Sequence, residues 1–175
     1  LLLKMKSSPI INYTIPASGA LLISVNGATV PDLTENIVQS GKSLLLSASA
    51  PVTVIHELTG VALSDSWVVL PQVIWGASYQ LFSYTYSGNA RNNQYAMIYS
   101  AFDSNNIVIK NKLGVVQKNF TLNAGETYLQ AGLALDMTGW TVTATNKIGV
   151  IVGVNCANTP GSYTGFYLKP FMELG

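Results

Sequence analysis

Charge is scarce in this chain of 175 residues: only 10% are Asp, Glu, Lys or Arg, and the formal net charge is +1. Arg91 is the only arginine. Proteins that bind nucleic acid neutralise phosphates with clustered Lys and Arg, so nucleic acid is not an expected partner. Because 49% of the residues are hydrophobic, the polar surface must consist of Ser, Thr, Asn, Gln and Tyr. This composition favours an extracellular or surface-exposed protein, on a cell or a particle, over a cytosolic enzyme.

Reactive side chains are equally rare. Cys156 is the only cysteine, which excludes a disulfide within the chain, and no basic neighbour stabilises its thiolate. We interpret it as a buried, inert thiol, the alternative being a bond to a partner. His56 is the only histidine, so we do not expect a zinc site from this chain alone. Ser64 and Asp65 are close to it in sequence, but no elbow motif surrounds them, so we interpret His56 as a structural or surface residue rather than as part of a catalytic triad. We therefore expect no catalytic residue, no metal, no cofactor and no enzymatic activity.

Two short motifs resemble ligand sites but are better explained as turns. Gly41-Lys42-Ser43 ends like a phosphate-binding loop, yet Asn36 stands where that loop needs its first Gly. Asp103-Ser104-Asn105 carries oxygen atoms suited to calcium, but no bidentate Glu follows at the required spacing. We predict a turn at each motif.

No segment indicates a membrane span. The apolar runs are short, and none approaches the roughly 20 residues that cross a bilayer. We interpret both ends as cut from a longer polypeptide, because Leu1-Leu2-Leu3 is too short for a signal-peptide core and no Met begins the chain.

Short apolar and aromatic runs recur at the roughly 8–12-residue spacing that is typical of β-sandwiches and barrels. We predict an all-β fold of antiparallel β-sandwich modules, with a single helical turn near 31–36. Segments 95–101 and 107–110 are expected to form a hairpin around 103–106. The other predicted strands are 10–15, 20–25, 43–46, 52–55, 66–70, 79–86, 120–122, 128–130, 141–145 and 150–154.

Landmarks of the first half recur in the second half. The turn at Gly41 matches the turn at Gly125. The difference in residue number between equivalent positions of the two halves increases towards the end of the second copy, which indicates inserted residues there. Such a repeat indicates a duplicated module. We predict a first β repeat at 1–78 and a second β repeat at 79–175, with an inserted loop at about 132–145. Whether the two repeats are separate domains or share a sheet stays open.

Residues that the two repeats do not share are candidates for partner binding. Exposed aromatic side chains are typical anchors of protein interfaces, and the alternative is that the tryptophan belongs to the core. The predicted partner-binding residues are Met137, Trp140, Tyr163, Phe166 and Tyr167.

Two asparagines begin sequons for N-linked glycans. They are Asn12, in Asn-Tyr-Thr, and Asn119, in Asn-Phe-Thr. Such sites accept a glycan only when a eukaryotic cell secretes the chain. We therefore predict them as conditional glycosylation sites.

Several landmarks match one protein family. In the second half they are Leu122-Asn123-Ala124-Gly125-Glu126-Thr127-Tyr128, Asp136-Met137-Thr138-Gly139 and the segment 150–160. In the first half they are Ala50-Pro51-Val52-Thr53-Val54 and the segment 70–79. The chain resembles the N-terminal domain family of IgG Fc-binding protein. The resemblance implies a module of large secreted or cell-surface proteins.

One departure from the family pattern concerns Cys156. Family members commonly place a second Cys shortly after the Asn-Val-Pro element and form a local disulfide. Here Gly161-Ser162-Tyr163-Thr164-Gly165 contains no Cys, so the disulfide that the resemblance implies lacks its second cysteine. No residue of the sequence marks an Fc-binding surface.

The sequence therefore predicts a non-enzymatic extracellular or surface β module of a longer chain. We expect it to act in adhesion, binding or assembly. Its partners would be other protein subunits or surface ligands, protein or glycan, with a homo-oligomer as one form of assembly. Two alternatives stay open: a structural subunit of a virion, tail fibre or filament, and a carbohydrate-binding module.

Overall fold

The computed structural model describes residues 2–5, 11–15, 19–24, 33–59, 64–82, 93–133 and 135–154. Within these ranges the regular elements are strands, apart from a 3₁₀ turn at Gln72–Ile74. The strands are β1 (Leu2–Met5), β2 (Ile11–Asn12), β3 (Val38–Gln39), β4 (Leu44–Ser47), β5 (Val54–Thr59), β6 (Ser64–Val69), β7 (Gly76–Gln80), β8 (Asn93–Ser100), β9 (Asn105–Lys110), β10 (Val116–Leu122), β11 (Thr127–Leu133) and β12 (Thr141–Val154).

These strands pair antiparallel throughout, so the prediction of an all-β, antiparallel fold is confirmed. The described strands form a sheet β2–β1–β4, a ribbon β5–β6 and a large sheet β10–β9–β12–β8–β11–β3, in which β7 also pairs with β12. β3 lies in the first predicted repeat, and β7 crosses the predicted boundary at residue 78, so the large sheet contains strands from both predicted repeats. The tandem β-sandwich arrangement stays a prediction.

Strand β9 shows why these segments form half-buried strands. Ile107 and Ile109 are fully buried, whereas Val108 and Lys110 lie on the opposite face and are half-buried. β-Branched side chains suit such a pleated surface, and burying each Ile contributes about 1.5–3 kcal/mol. The core cluster comprises Tyr79, Leu81, Ala96, Ile98, Ile107, Ile109, Leu122, Tyr128, Met137, Trp140, Val142, Ile148, Val150 and Val152.

Strands β8 and β9 are consecutive segments of one long pass of the chain. Both pair with β12, since Ile107 lies opposite Ala144 and Ser100 lies opposite Ile148. The predicted hairpin around 103–106 is therefore wrong, because the chain bends there and continues along the same partner strand. Asp, Ser and Asn favour a bend as much as a hairpin turn, so the local pattern does not separate the two.

Strands β10 and β11 form a second pass beside the first. β10 pairs with β9, and β11 pairs with β8. The second pass bends at the same level, where Gly125 N–H donates to Ser100 O at 2.8 Å and Ser100 N–H donates to Glu126 O at 3.2 Å. β12 is the third pass, and it is one continuous strand where the sequence predicted two, at 141–145 and 150–154.

The buried side chain of Asn105 connects the bend of the first pass to β12. Its Oδ1 accepts from the Thr145 hydroxyl at 3.0 Å and from the Asn146 N–H at 2.8 Å. Its Nδ2 donates to Ser100 Oγ at 3.0 Å and to the carbonyl oxygens of Asn146 and Lys147 at 3.3 and 3.4 Å. Both polar atoms of this fully buried amide are thus hydrogen-bonded, as burial requires.

Exposed side chains connect the first bend to the second. Asp103 Oδ1 accepts from the Ala124 N–H at 3.0 Å, and Asn123 Oδ1 accepts from the Ser104 N–H at 3.1 Å. Ser104 has a φ of 51°, a left-handed conformation that is uncommon outside glycine. The carboxylate that suggested calcium therefore serves a backbone N–H in the structure.

The helical turn predicted near 31–36 does not form over its described residues, 33–36. Asn36 has a φ of 60°, and its Oδ1 accepts from the Ala131 N–H at 3.2 Å. Its own N–H donates to Leu129 O at 2.7 Å. Pairing with β11 gives these backbone groups partners that an isolated helical turn would not supply.

Replacing Asn105 with alanine is expected to destabilise the protein by about 2–4 kcal/mol, because it removes several hydrogen bonds at once and leaves the buried Ser100 hydroxyl and partly buried backbone groups of β12 without these partners. Urea unfolding measures this change in the free energy of unfolding. Asn106→Ala, at the adjacent exposed asparagine, is the matched control and should cost less than about 1 kcal/mol. Equal losses in the two variants would contradict the role given to Asn105.

Candidate binding surface

One face of the large sheet is open in the described part of the chain. Successive side chains along a strand point to opposite faces, so the residues between the core positions of β7, the first part of β12 (141–143), β9 and β10 share this second face. All of them are exposed or half-buried. Cross-strand pairing aligns them in two rows, Ser78–Thr143–Val108–Asn119 and Gln80–Thr141–Lys110–Val116. We call these residues the open face.

The open face consists mainly of neutral hydrogen-bonding side chains. Its hydroxyl and amide groups provide both donors and acceptors, and Lys110 is its only charged residue. Beyond the first row, Asn106 Oδ1 accepts from the Thr121 hydroxyl at 2.8 Å, and Asn106 N–H donates to Thr145 Oγ1 at 3.0 Å. These groups suit recognition by hydrogen bonds rather than covalent chemistry.

The turn between β9 and β10 is held in one conformation by Asn111. Asn111 Oδ1 accepts from the N–H groups of Leu113 and Val115, each at 3.0 Å. The Asn111 carbonyl accepts from Gly114 N–H at 2.9 Å, and Gly114 has a φ of 78°. Glycine adopts this left-handed conformation without steric cost. We call residues 111–116 the tip.

The tip holds apolar side chains in solvent. The exposed fractions of Leu113, Val115 and Val116 are 80%, 55% and 52%. Turn residues are ordinarily Gly, Pro, Asn, Asp or Ser, so an ordered turn that presents aliphatic side chains is a candidate contact site. Lys112 lies within the tip and is also exposed.

Met137 and Trp140, two of the predicted partner-binding residues, lie in the core with exposed fractions of 0% and 7%. Met137 N–H donates to Oε1 of the buried Gln94 at 2.9 Å, and Leu81 N–H donates to Trp140 O at 2.7 Å. The loop therefore folds onto the sheet, because the free energy is lower with these two large apolar side chains buried than with them exposed to water. Neither side chain is the exposed anchor that the prediction required.

The two predicted sequons lie on the surface. Asn12 is in β2 and Asn119 is in β10 on the open face, and both are exposed. Their glycosylation stays a prediction. The remaining predicted sites lie outside the described residues: Cys156, Tyr163, Phe166 and Tyr167.

Several titratable and nucleophilic side chains pack against aromatic rings or hydrogen-bond to the backbone. The His56 ring packs edge-on against Trp67 with ring centroids 4.0 Å apart, and Ser43 Oγ donates to Gly125 O at 2.8 Å. Burial raises the pKa of Tyr128, which stacks on Phe120 in the core with ring centroids 4.0 Å apart. Among the described residues, no three His, Cys, Asp or Glu side chains form a cluster suited to a metal ion.

The tip was missed by reasoning from the sequence. Its signal is the run Leu113-Gly114-Val115-Val116, which follows the polar pair Asn111-Lys112. Such an apolar run is easily assigned to a strand. Only the turn geometry shows that Leu113 is exposed, because Asn111 Oδ1 closes the loop before β10 begins.

Comparison with known proteins identifies one family. The family model described as IgGFc binding protein matches residues 65–166, a range that includes the large sheet from β7 to β12. No curated protein and no solved structure matches the chain. Within the described ranges, the structure contains no helix with the length and apolar character that a bilayer span requires.

Asn111→Ala is expected to loosen the tip, because Leu113 N–H and Val115 N–H lose their acceptor. We expect their hydrogen exchange to accelerate by about tenfold or more, with a stability loss of about 1 kcal/mol. Exchange measured by NMR tests this. Asn119→Ala on β10 is the matched control. Unchanged exchange at both tip amides in Asn111→Ala would show that the side chain does not hold the turn.

Proposed function

The chain belongs to the IgGFc binding protein family, and we propose that it contacts a partner protein through the open face. The family is of a binding, non-enzymatic type, and its proteins are secreted or surface proteins. We infer that this chain is an extracellular or surface module of a longer protein and acts in adhesion or assembly.

The observation that carries this proposal is the paired alignment of neutral polar residues on a rigid sheet. In the row Ser78–Thr143–Val108–Asn119, backbone pairing fixes the spacing between strands at about 4.8 Å. Little conformational entropy is lost when such preorganised groups bind. Protein interfaces carry on the order of 10 direct hydrogen bonds, which hydroxyl and amide side chains supply.

The open face is a better site for contact with a partner protein than the adjacent edge of the sheet. β10 is the outer strand of the large sheet on this side of the described structure. Its register is interrupted between Val116 and Lys118, and Lys118 is exposed. Irregular pairing and Lys on an edge strand hinder the addition of another strand. We therefore assign the contact to side chains of the face.

A protein partner fits the surface better than a glycan. Carbohydrate recognition in the sequence-based hypothesis relied on Trp140, whose side chain is 7% exposed. A sugar cannot stack on a ring in that position. The open face itself carries aliphatic and hydroxyl groups rather than an aromatic platform.

Thr143→Arg tests the proposal, because it introduces a long, charged side chain between Ser78 and Val108 at the centre of the face. Two probes are used in biolayer interferometry against the immobilised chain: the Fc fragment of immunoglobulin G, and a second sample of the chain itself. We expect the affinity for the probe that binds to fall by about tenfold or more, since a misplaced charge disrupts complementarity.

Thr53→Arg is the matched control, because Thr53 is exposed in the segment before β5. This variant should bind as the unaltered chain does, and both variants should unfold at similar temperatures. If neither probe binds, or if both variants bind equally, the assignment of partner contact to the open face is contradicted.

A further inference from the structure

We propose that the tip docks on an anionic lipid surface. Val116 and Lys110, which adjoins the tip, also belong to the open face, but the other residues of the tip lie outside that face, and this inference does not depend on the protein contact assigned to it. It rests on three features of residues 110–118: the exposure of their aliphatic side chains, their charge, and the rigidity of the turn.

The apex of the hairpin presents hydrocarbon to solvent. Leu113 is 80% exposed, and Val115 and Val116 follow at 55% and 52%. Transfer of an exposed apolar side chain out of water is favourable, because it lowers the free energy of the system. The headgroup boundary of a bilayer accepts apolar residues to a depth of about 5–10 Å, which is sufficient for the side chains at one hairpin apex.

In the sequence around the apex, every charged residue is positive. Lys110, Lys112 and Lys118 lie within nine residues of each other in the chain. No Asp or Glu occurs in the sequence between Asp103 and Glu126. An aliphatic apex flanked by ammonium groups is complementary to a bilayer with anionic headgroups, whose surface potential attracts Lys and Arg.

The chemistry of the tip suits lipid better than protein. Lys is depleted in the cores of protein interfaces, whereas the surface potential of anionic lipid attracts it. The tip has only Leu, Val and Lys to offer. Asn111, its polar side chain at the base, already accepts from Leu113 N–H and Val115 N–H. The remaining groups of the tip interact through apolar contact and charge attraction, which need no fixed geometry, and a fluid headgroup layer provides both.

The turn is ordered before it meets a membrane. Asn111 N–H donates to Val115 O at 2.9 Å, Gly114 N–H donates to Asn111 O at 2.9 Å, and the Gln117 amide donates to Val115 O at 3.2 Å. Docking therefore costs little conformational entropy at the tip. A single tip of this size gives weak, reversible binding, and several copies in one longer chain would strengthen it by raising the effective concentration.

Vesicle co-sedimentation of the 175-residue chain tests the proposal. The probes are vesicles of phosphatidylserine and phosphatidylcholine, and vesicles of phosphatidylcholine alone. We expect partition into the anionic vesicles to be about tenfold stronger or more, and to weaken as salt is raised. Leu113→Ser should lower this partition by about tenfold, and Lys112→Gln by about fivefold.

Ile55→Ser is the matched control, because Ile55 on β5 is 66% exposed and lies outside the tip. It should partition as the unaltered chain does, and circular dichroism should show that all variants are folded. Equal partition into both vesicle types, no partition, or partition unchanged by Leu113→Ser would overturn the proposal. Self-association in sedimentation velocity that Leu113→Ser removes would also overturn it, since the tip would then bind a second copy.

Discussion

A single buried amide, the side chain of Asn105, holds long antiparallel strands in register where they bend. A bend breaks the regular ladder of backbone hydrogen bonds, and buried backbone groups without partners are costly. Asn105 supplies the missing partners on β12, at Asn146 and Lys147, and also binds Thr145 and Ser100. Removing such an amide costs more than the hydrogen bonds themselves, because Ser100 Oγ remains buried and the other groups it served remain partly buried.

The bends determine which surfaces the protein offers to partners. Because β9, β10 and the first part of β12 continue beyond the bend, their inward side chains complete the core around Ile107 and Ile109. Their outward side chains form the open face. The same continuation carries the hairpin between β9 and β10 away from the bend and ends in the tip at Leu113. Structure and candidate function are connected through the register of these strands.

Much of the strand content could be predicted from the sequence, because alternation and turn residues are local signals. The turn at 103–104 lies within the predicted turn 103–106, but Asn105 and Asn106 belong to β9, and the role of the turn as a bend depends on pairing with β12, which is remote in sequence. Trp140 was expected in an exposed loop, whereas contacts across the sheet bury it. Gly149 could not be explained locally either, since the ring of Tyr99 occupies the space that a Cβ would need. Non-local packing decided each of these cases.

Hydrogen exchange at the backbone amide of Asn146 tests the role of Asn105 most directly. The side chain of Asn146 is exposed, but its N–H donates to the buried Oδ1 of Asn105 at 2.8 Å. If Asn105 anchors the bend, this amide should be protected to within about tenfold of Val150 in the centre of β12. Exchange of Asn146 at the rate of an unprotected peptide, while Val150 remains protected, would contradict the account.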